Sequence, residues 1–152
     1  MFYKRRDYST IVNGKNPIVA HEFLGDNIEG KDIIIIDDMI SSGESMIDVA
    51  RKLKALHAKR IFLYSTFGLF TNGMEKFDEA YKEGLFYRVL TTNLVYQTPD
   101  LLSRPYYISV DLSKYIALII DTLNHDMSVS HLLNPVDRIK RCVNKYMAQY
   151  EK

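Results

Sequence analysis

The sequence predicts an α/β fold, a three-layer sandwich around a mainly parallel sheet. Short β-branched segments alternate along the chain with segments whose apolar residues recur at helical spacing, and this alternation is typical of parallel α/β sheets. The four isoleucines of Ile33–Ile36 indicate a strand buried on both faces in the middle of such a sheet. Because 152 residues suffice for one domain with a substantial core, we predict a single domain over residues 1–152.

The other elements are predicted, in chain order, from apolar periodicity and turn residues. A short strand is expected at 18–24, whereas the basic triplet Lys4-Arg5-Arg6 is expected on a loop. Beyond the isoleucines, helices and strands alternate, at 44–56 (helix), 60–66 (strand), 72–83 (helix), 87–91 (strand), 106–110 (strand) and 113–123 (helix). A last helix is expected after Asn134-Pro135, an N-cap followed by proline at the first helical position.

Several further polar residues are considered as candidate site or capping residues. The polar loop at 92–105 is too long for a mere connection and is expected to carry function. In this loop, Arg104 is a candidate for contacting a phosphate or a partner subunit, with an ordinary surface position as the alternative. Thr91-Thr92-Asn93 is a candidate for bordering a pocket. Asn72 with Glu75 predicts a capping box for the helix that follows. The histidines are too scattered for a metal site, at positions 21, 57, 125 and 131.

Composition excludes several classes of function. Apolar residues make up 47%, charged residues 26%, and the net charge is only +1, so a broad nucleic-acid-binding face is not expected. The single cysteine, Cys142, excludes an internal disulfide and fits a reducing compartment. No segment approaches the roughly 18 apolar residues that a membrane span needs, so no membrane partner is expected. These features together predict a cytoplasmic protein.

The chemistry is expected at the end of the isoleucine strand. Asp37 and Asp38 stand there, followed by the small-residue loop Ser41-Ser42-Gly43-Glu44-Ser45 and then a helix. In open α/β sheets ligands bind at this position, and backbone N–H groups at a helix N-terminus suit a phosphate. The carboxylates suit sugar hydroxyls or a hydrated Mg²⁺. The alternative is that the two aspartates are simply solvated or cap the next helix.

The segment Ile-Ile-Ile-Asp-Asp-Met-Ile-Ser-Ser-Gly-Glu-Ser at 34–45 resembles the phosphoribosyl-binding loop of the type I phosphoribosyltransferase fold. With Lys4-Arg5-Arg6, residues 25–31 and residues 111–123, the wider match resembles ribose-phosphate pyrophosphokinase. That enzyme of nucleotide biosynthesis makes phosphoribosyl pyrophosphate (PRPP) from ATP and ribose 5-phosphate. The resemblance covers about residues 3–133, and it implies that the chain corresponds to the C-terminal half of a longer two-domain enzyme.

The resemblance also implies a role for each matching residue. Lys4 and Arg6 would be catalytic and would stabilise charge as the β,γ-diphosphoryl group of ATP moves to the ribose. Asp37 and Asp38 would hold the ribose hydroxyls, and would hold Mg²⁺ indirectly through the sugar or water. Ser41, Ser42, Gly43, Glu44 and Ser45 would wrap the 5-phosphate. The partners implied are ribose 5-phosphate, ATP and PRPP, with assembly into a homo-oligomer.

Two residues depart from the pattern of the fold. Many members carry aspartate where Ser41 stands, and many carry glycine or alanine where Glu44 stands. A carboxylate at the mouth of a phosphate cradle should repel the ligand unless it points away. Ser41-x-x-Glu44 could form a capping box, which would compete with phosphate for the same donors. Our hypothesis is that Glu44 points outward and that only the backbone of the loop serves the ligand.

Three classes of function therefore remain open. The first is a pyrophosphokinase that is complete only with a second half; the chain alone would bind ribose 5-phosphate or PRPP but transfer diphosphate poorly or not at all. The second is a phosphoribosyltransferase that uses PRPP and a nucleobase, although no insertion for a base-reading hood is visible. The third is a non-catalytic PRPP-binding or assembly module, in which Lys4 and Arg6 would be dispensable.

Overall fold

The computed structural model describes the backbone of residues 2–6, 18–23 and 27–150, and side chains from residue 27 to residue 149. Its internal contacts divide the chain into two compact units, Met1–Val110 and Asp111–Lys152. Each unit is described by itself, and the single domain expected over residues 1–152 stays a prediction.

Two sheets occur among the described residues of the first unit. One is an antiparallel pair of β1 (Phe2–Arg6) and β2 (Ile18–Phe23). The other is parallel, with its strands side by side in the order β3 (Ile33–Ile40), β4 (Ile61–Gly68), β5 (Arg88–Thr92) and β6 (Tyr107–Val110). Helices α1 (Glu44–Ala55), α2 (Glu75–Lys82) and the short α3 (Pro99–Leu102) connect these parallel strands. The predicted α/β class and parallel sheet are confirmed.

The basic triplet lies in a strand, so its expected position on a loop is wrong. Lys4 is the register partner of His21, and the register shifts between Arg5 and Arg6. Charged side chains do not prevent such pairing, because the hydrogen bonds of a strand ladder come from the backbone. The side chains of Lys4 and Arg6 lie outside the described part of the chain.

The capping box predicted from Asn72 and Glu75 is also wrong. α2 begins at Glu75, its N-cap is Met74, and no side chain caps it. Gly73 takes a positive φ of 76° between Asn72 and the helix, so the turn that enters α2 is made by the backbone of glycine. The end of α2 is as predicted, because Gly84 follows the helix with a φ of 72°.

Among the strands that the structure describes, β3 lies at the edge of the parallel sheet and not at its centre. Ile33 and Ile35 pack against the core, but Ile34 and Ile36 on the other face are 64% and 73% exposed. The prediction of a strand buried on both faces is therefore wrong. A run of four isoleucines predicts that the segment is a strand. It does not predict how many strands lie beside it, because that depends on the topology of the sheet.

The core lies on one face of the parallel sheet, under α1 and α2. α1 contacts α2, β3 and β4. Alternation along the strands turns one set of side chains toward these helices. The buried apolar residues of the strands and helices meet there, among them Ile61, Leu63, Val89, Met46, Ala50, Leu53 and Phe77. This packing fixes α1 and α2 relative to the carboxyl ends of β3 and β4.

The second unit is helical over its described residues, with α4 (Ser113–Asn124), α5 (Ser130–Leu133) and α6 (Val136–Tyr150). The Tyr115 hydroxyl donates to the carbonyl oxygen of Leu132 at 2.9 Å, which ties α4 to α5. The Val136 N–H donates to Asn134 Oδ1 at 3.1 Å, which confirms the predicted cap of the last helix. None of the described helices is long and apolar enough to cross a bilayer.

Candidate functional site

The candidate site is a cavity of about 130 Å³ where β3 ends and α1 begins. It is lined by the strand end, the loop and the first turn of the helix, through Asp37, Met39, Ile40, Ser41, Ser42, Gly43, Ser45 and Met46. Five of the seven predicted substrate-binding residues thus line one cavity, and Asp38 and Glu44 do not. The N–H groups of a helix's first turn have no partner within the helix, so this end of α1 is suited to an anion.

Gly43 shapes the loop by conformation and by packing. It is the N-cap of α1 and has a φ of 76° in the left-handed region. A Cβ atom at this position would lie 2.2 Å from the ring of Phe77, which is fully buried in α2. Because both requirements exclude a side chain, only glycine lets the loop pass this close to the helix.

The loop is held from the other side by the segment that follows β4. The Ser41 and Thr71 hydroxyl oxygens are 3.1 Å apart in a hydrogen bond. The Thr71 N–H donates to the Ser41 carbonyl oxygen at 3.1 Å, and the Leu69 N–H donates to the Ile40 carbonyl oxygen at 2.9 Å. These contacts hold the loop at 41–45, the phosphate cradle, in place, which limits the ordering that ligand binding would require.

Of the two aspartates, only Asp37 lines the cavity. Both lie within β3, where successive side chains alternate. Asp37 faces the cavity, and its Oδ1 accepts a hydrogen bond from the Asp38 N–H at 2.9 Å. Both carboxylates are exposed. Asp37 is therefore the carboxylate placed beside the loop.

Glu44 forms an ion pair with Lys76 of α2. No side chain caps α1, and the N-cap is Gly43, so the alternative of a capping box between Ser41 and Glu44 is excluded. The hypothesis that Glu44 points away from the loop agrees with this pairing. The sequence offers no local signal for Lys76, Phe77 or Thr71, because each lies some thirty residues beyond the loop that it contacts.

Two further candidates serve the scaffold. The Arg104 side chain is only 16% exposed and is paired with both Asp78 and Asp100. It joins α2 to α3, so neither of the roles considered for it, in ligand binding or at the surface, describes it. Thr91 and Thr92 are fully buried, and Thr92 Oγ1 donates to the Thr66 carbonyl oxygen at 2.6 Å. These threonines join strands and do not line the cavity.

A larger apolar cavity adjoins the cradle. It measures about 510 Å³ and runs along β3 and α1, sharing Asp37, Ser45 and Met46 with the small cavity. Most of its lining is aliphatic and includes the isoleucines of β3. Such a surface offers few hydrogen bonds to a sugar, so the polar ligand chemistry is confined to the cradle.

The described residues do not form a metal cage of their own. No group of three or more His, Cys, Asp or Glu among them could hold an ion. The Asp37 carboxylate at the edge of a phosphate site does fit Mg²⁺, which is usually bound by one or two carboxylates together with substrate phosphates and water. The residues present therefore fit a metal that arrives with its substrate.

A parallel sheet with a small-residue loop between a strand's carboxyl end and a helix N-terminus is characteristic of α/β domains that bind phosphorylated ligands. The chain belongs to the family of the phosphoribosyl synthetase-associated domain, whose model matches residues 8–134. The resemblance to ribose-phosphate pyrophosphokinases is confirmed by this match and by the relatives that follow.

The chain is 28% identical over 111 residues to a ribose-phosphate pyrophosphokinase of Vibrio parahaemolyticus, covering 73% of this chain and 34% of that protein. It is 29% identical over 131 residues to one of Shewanella oneidensis, covering 86% and 38%. The phosphoribosylpyrophosphate synthetase structure from Mycobacterium smegmatis matches 74% of this chain and 34% of its own, with a TM-score of 0.58 and 21% identity. The chain thus spans about a third of the length of these proteins.

Proposed function

We propose that this chain supplies the ribose 5-phosphate and PRPP site of a ribose-phosphate diphosphokinase, which forms PRPP from ATP and ribose 5-phosphate. The observation that carries the proposal is that Asp37 lines one cavity together with the loop residues Ser41, Ser42, Gly43 and Ser45. A phosphate and a sugar hydroxyl of one small molecule could bind there together. Family membership and the named relatives support the same substrate class.

Different residues of the site would bind the phosphate and the ribose of the ligand. The 5-phosphate would lie at the N-terminus of α1, where backbone N–H groups and the helix dipole favour an anion. The backbone N–H groups of the loop at 41–45 would donate to its oxygens. The Asp37 carboxylate would accept a hydrogen bond from a ribose hydroxyl, and we propose the same for Asp38.

The transfer step needs cations where negative charge develops. We propose Lys4 and Arg6 for this role from the resemblance of the basic triplet. Mg²⁺, held indirectly by Asp37 and Asp38, would neutralise charge on the diphosphoryl group when it is bound. By the same resemblance we propose ATP as the second substrate, a homo-oligomeric assembly and a cytoplasmic location.

Calorimetric titration of the chain with ribose 5-phosphate tests the proposed site. We expect binding of ribose 5-phosphate, no detectable binding of ribose, and about tenfold weaker binding in Asp37→Asn, because a hydrogen bond to a charged group is lost. Glu29→Gln removes one exposed carboxylate at the amino end of β3 and should change the affinity less than about twofold. Equal binding of ribose and ribose 5-phosphate, or full affinity in Asp37→Asn, would overturn the site.

Turnover assays separate the classes of function. With ATP and ribose 5-phosphate, the chain alone should form little or no PRPP, because it spans about a third of the enzymes it matches. Robust PRPP formation would contradict a purely ligand-binding contribution. Pyrophosphate release from PRPP in the presence of nucleobases would instead show a phosphoribosyltransferase.

A further inference from the structure

The first turn of α2 meets the cradle at two consecutive positions. Phe77 packs directly against Gly43, and the neighbouring Lys76 pairs with Glu44. The dipeptide 43–44 of the loop therefore faces the dipeptide 76–77 of the helix. The apolar contact fixes the distance between α2 and the loop, and the ion pair sets the charge beside it.

The ion pair of Lys76 and Glu44 is exposed, with side chains 52% and 48% accessible. Exposed pairs of this kind contribute little to the free energy of unfolding. The pair matters for anion binding because of its position, since Glu44 is the first residue of α1. A carboxylate there occupies the field of the helix N-terminus, which is the field that an incoming phosphate would use.

The groove between α1 and α2 has more acidic than basic side chains, so the positive charge of Lys76 matters for the charge beside the cradle. The groove is lined by four carboxylates and two cations, Glu44, Asp48, Glu79, Glu83, Arg51 and Lys76. Arg51 pairs with Asp48 and Glu83, away from the cradle. Lys76 is thus the groove cation at the cradle, and its loss would leave a more negative groove beside the anion site.

We propose that Lys76 is a positioning residue for the phosphate cradle. It draws the Glu44 carboxylate toward α2 and cancels its charge, so that the N-terminus of α1 accepts a phosphate although a carboxylate stands at its first position. This role rests on the proposed function, because it concerns the same site. Lys76 need not touch the ligand, since it acts through Glu44.

A purely structural role and an electrostatic role of the ion pair predict different changes in ligand affinity when one partner is replaced. If the pair only braced the loop, Lys76→Met and Glu44→Gln would weaken ligand binding alike. If Lys76 cancels the charge of Glu44, Lys76→Met removes a positive charge from beside the anion site and weakens binding, while Glu44→Gln removes a negative charge there and strengthens it. The double variant should then bind nearly as the parent does.

Titration calorimetry at low ionic strength, with ribose 5-phosphate and with inorganic phosphate, measures these signs. We expect about three- to tenfold weaker binding in Lys76→Met, from one unit charge near a dianion in a mostly aqueous setting. Glu44→Gln should bind about twofold or more tightly than the parent. Added salt should reduce both effects. Lys82→Met removes a lysine from the last turn of the same helix and should leave the affinity within about twofold.

The outcomes separate this inference from the proposed function. Weaker binding in both single variants, or no change in Lys76→Met, would overturn the role of Lys76 even if ribose 5-phosphate binds the parent well. Binding of inorganic phosphate without added affinity for ribose 5-phosphate would overturn the sugar site, while the signs measured with phosphate would still decide the role of Lys76.

Discussion

Gly43 is the residue on which the geometry of the cradle depends most. Gly84 has nearly the same φ, 72° against 76°, but an added Cβ atom there would meet nothing within 4 Å. The two glycines therefore separate the conformational requirement from the packing requirement. Contact with Phe77 is therefore the constraint that Gly43 has and Gly84 lacks.

Gly43→Ala should lower the free energy of unfolding by about 3 kcal/mol, from left-handed strain and overpacking against Phe77. Gly84→Ala should lower it by about 1 kcal/mol, from the strain alone. Urea unfolding of both variants gives the two values. Equal losses would mean that the contact with Phe77 does not constrain the loop.

The residues of the loop itself could be predicted from the sequence because a strand, a small-residue loop and a helix follow one another without a gap. The residues that support the loop from α2 could not be predicted in this way. Lys76 and Phe77 meet the loop only after the chain has passed through β4 and entered α2, and nothing near the loop in the sequence indicates such a contact. The same reason explains why the sequence indicated that Glu44 points outward but did not indicate its ion pair with Lys76.

At the scale of elements, β3 behaves as an edge strand with one buried face. Ile36 is 73% exposed, while Ile61 at the start of β4 is fully buried. Ile36→Thr should change the free energy of unfolding by less than about 0.5 kcal/mol. Ile61→Thr should lower it by about 2 to 3 kcal/mol, because core contacts are lost and a hydroxyl is buried. Thermal or urea unfolding checks both, and a large loss in Ile36→Thr would show that its face is covered.

The link between α2 and α3 should make stability depend on pH. Asp78 accepts hydrogen bonds from Arg104 at 3.0 and 3.1 Å and from the Tyr106 hydroxyl at 2.5 Å. Burial acts to raise the pKa of the Asp78 carboxyl, but these hydrogen bonds outweigh it and hold that pKa below its ordinary value. The carboxylate therefore adds stability that is complete above about pH 4 and is lost as the pH falls through the lower folded-state pKa.

Asp78→Asn should consequently be less stable than the parent at pH 7, and the difference should shrink as the pH falls below about 4. Urea unfolding across this range measures the difference directly. Asp48→Asn, in an exposed pair with Arg51, is the matched control and should show little difference at either pH. A difference for Asp78→Asn that stays constant with pH would contradict the role given to the charged form.

At the scale of the whole molecule, alternation of strands and helices was sufficient to predict the α/β class and the positions of most elements. It could not predict that β3 lies at an edge or that the basic triplet pairs with β2. Both facts depend on which strands are neighbours, and apolar periodicity carries no information about neighbours. The cradle was predictable because its chemistry is local, whereas the charge balance around it was not.

The central claim is that the loop after β3 binds the phosphate of ribose 5-phosphate. Amide NMR spectra of the chain titrated with ribose 5-phosphate test it most directly. We predict the largest saturable shifts at the amides of residues 37–46, with small shifts at the exposed turn of residues 27–30. Saturable shifts centred elsewhere, or none at all from a folded chain, would contradict the account.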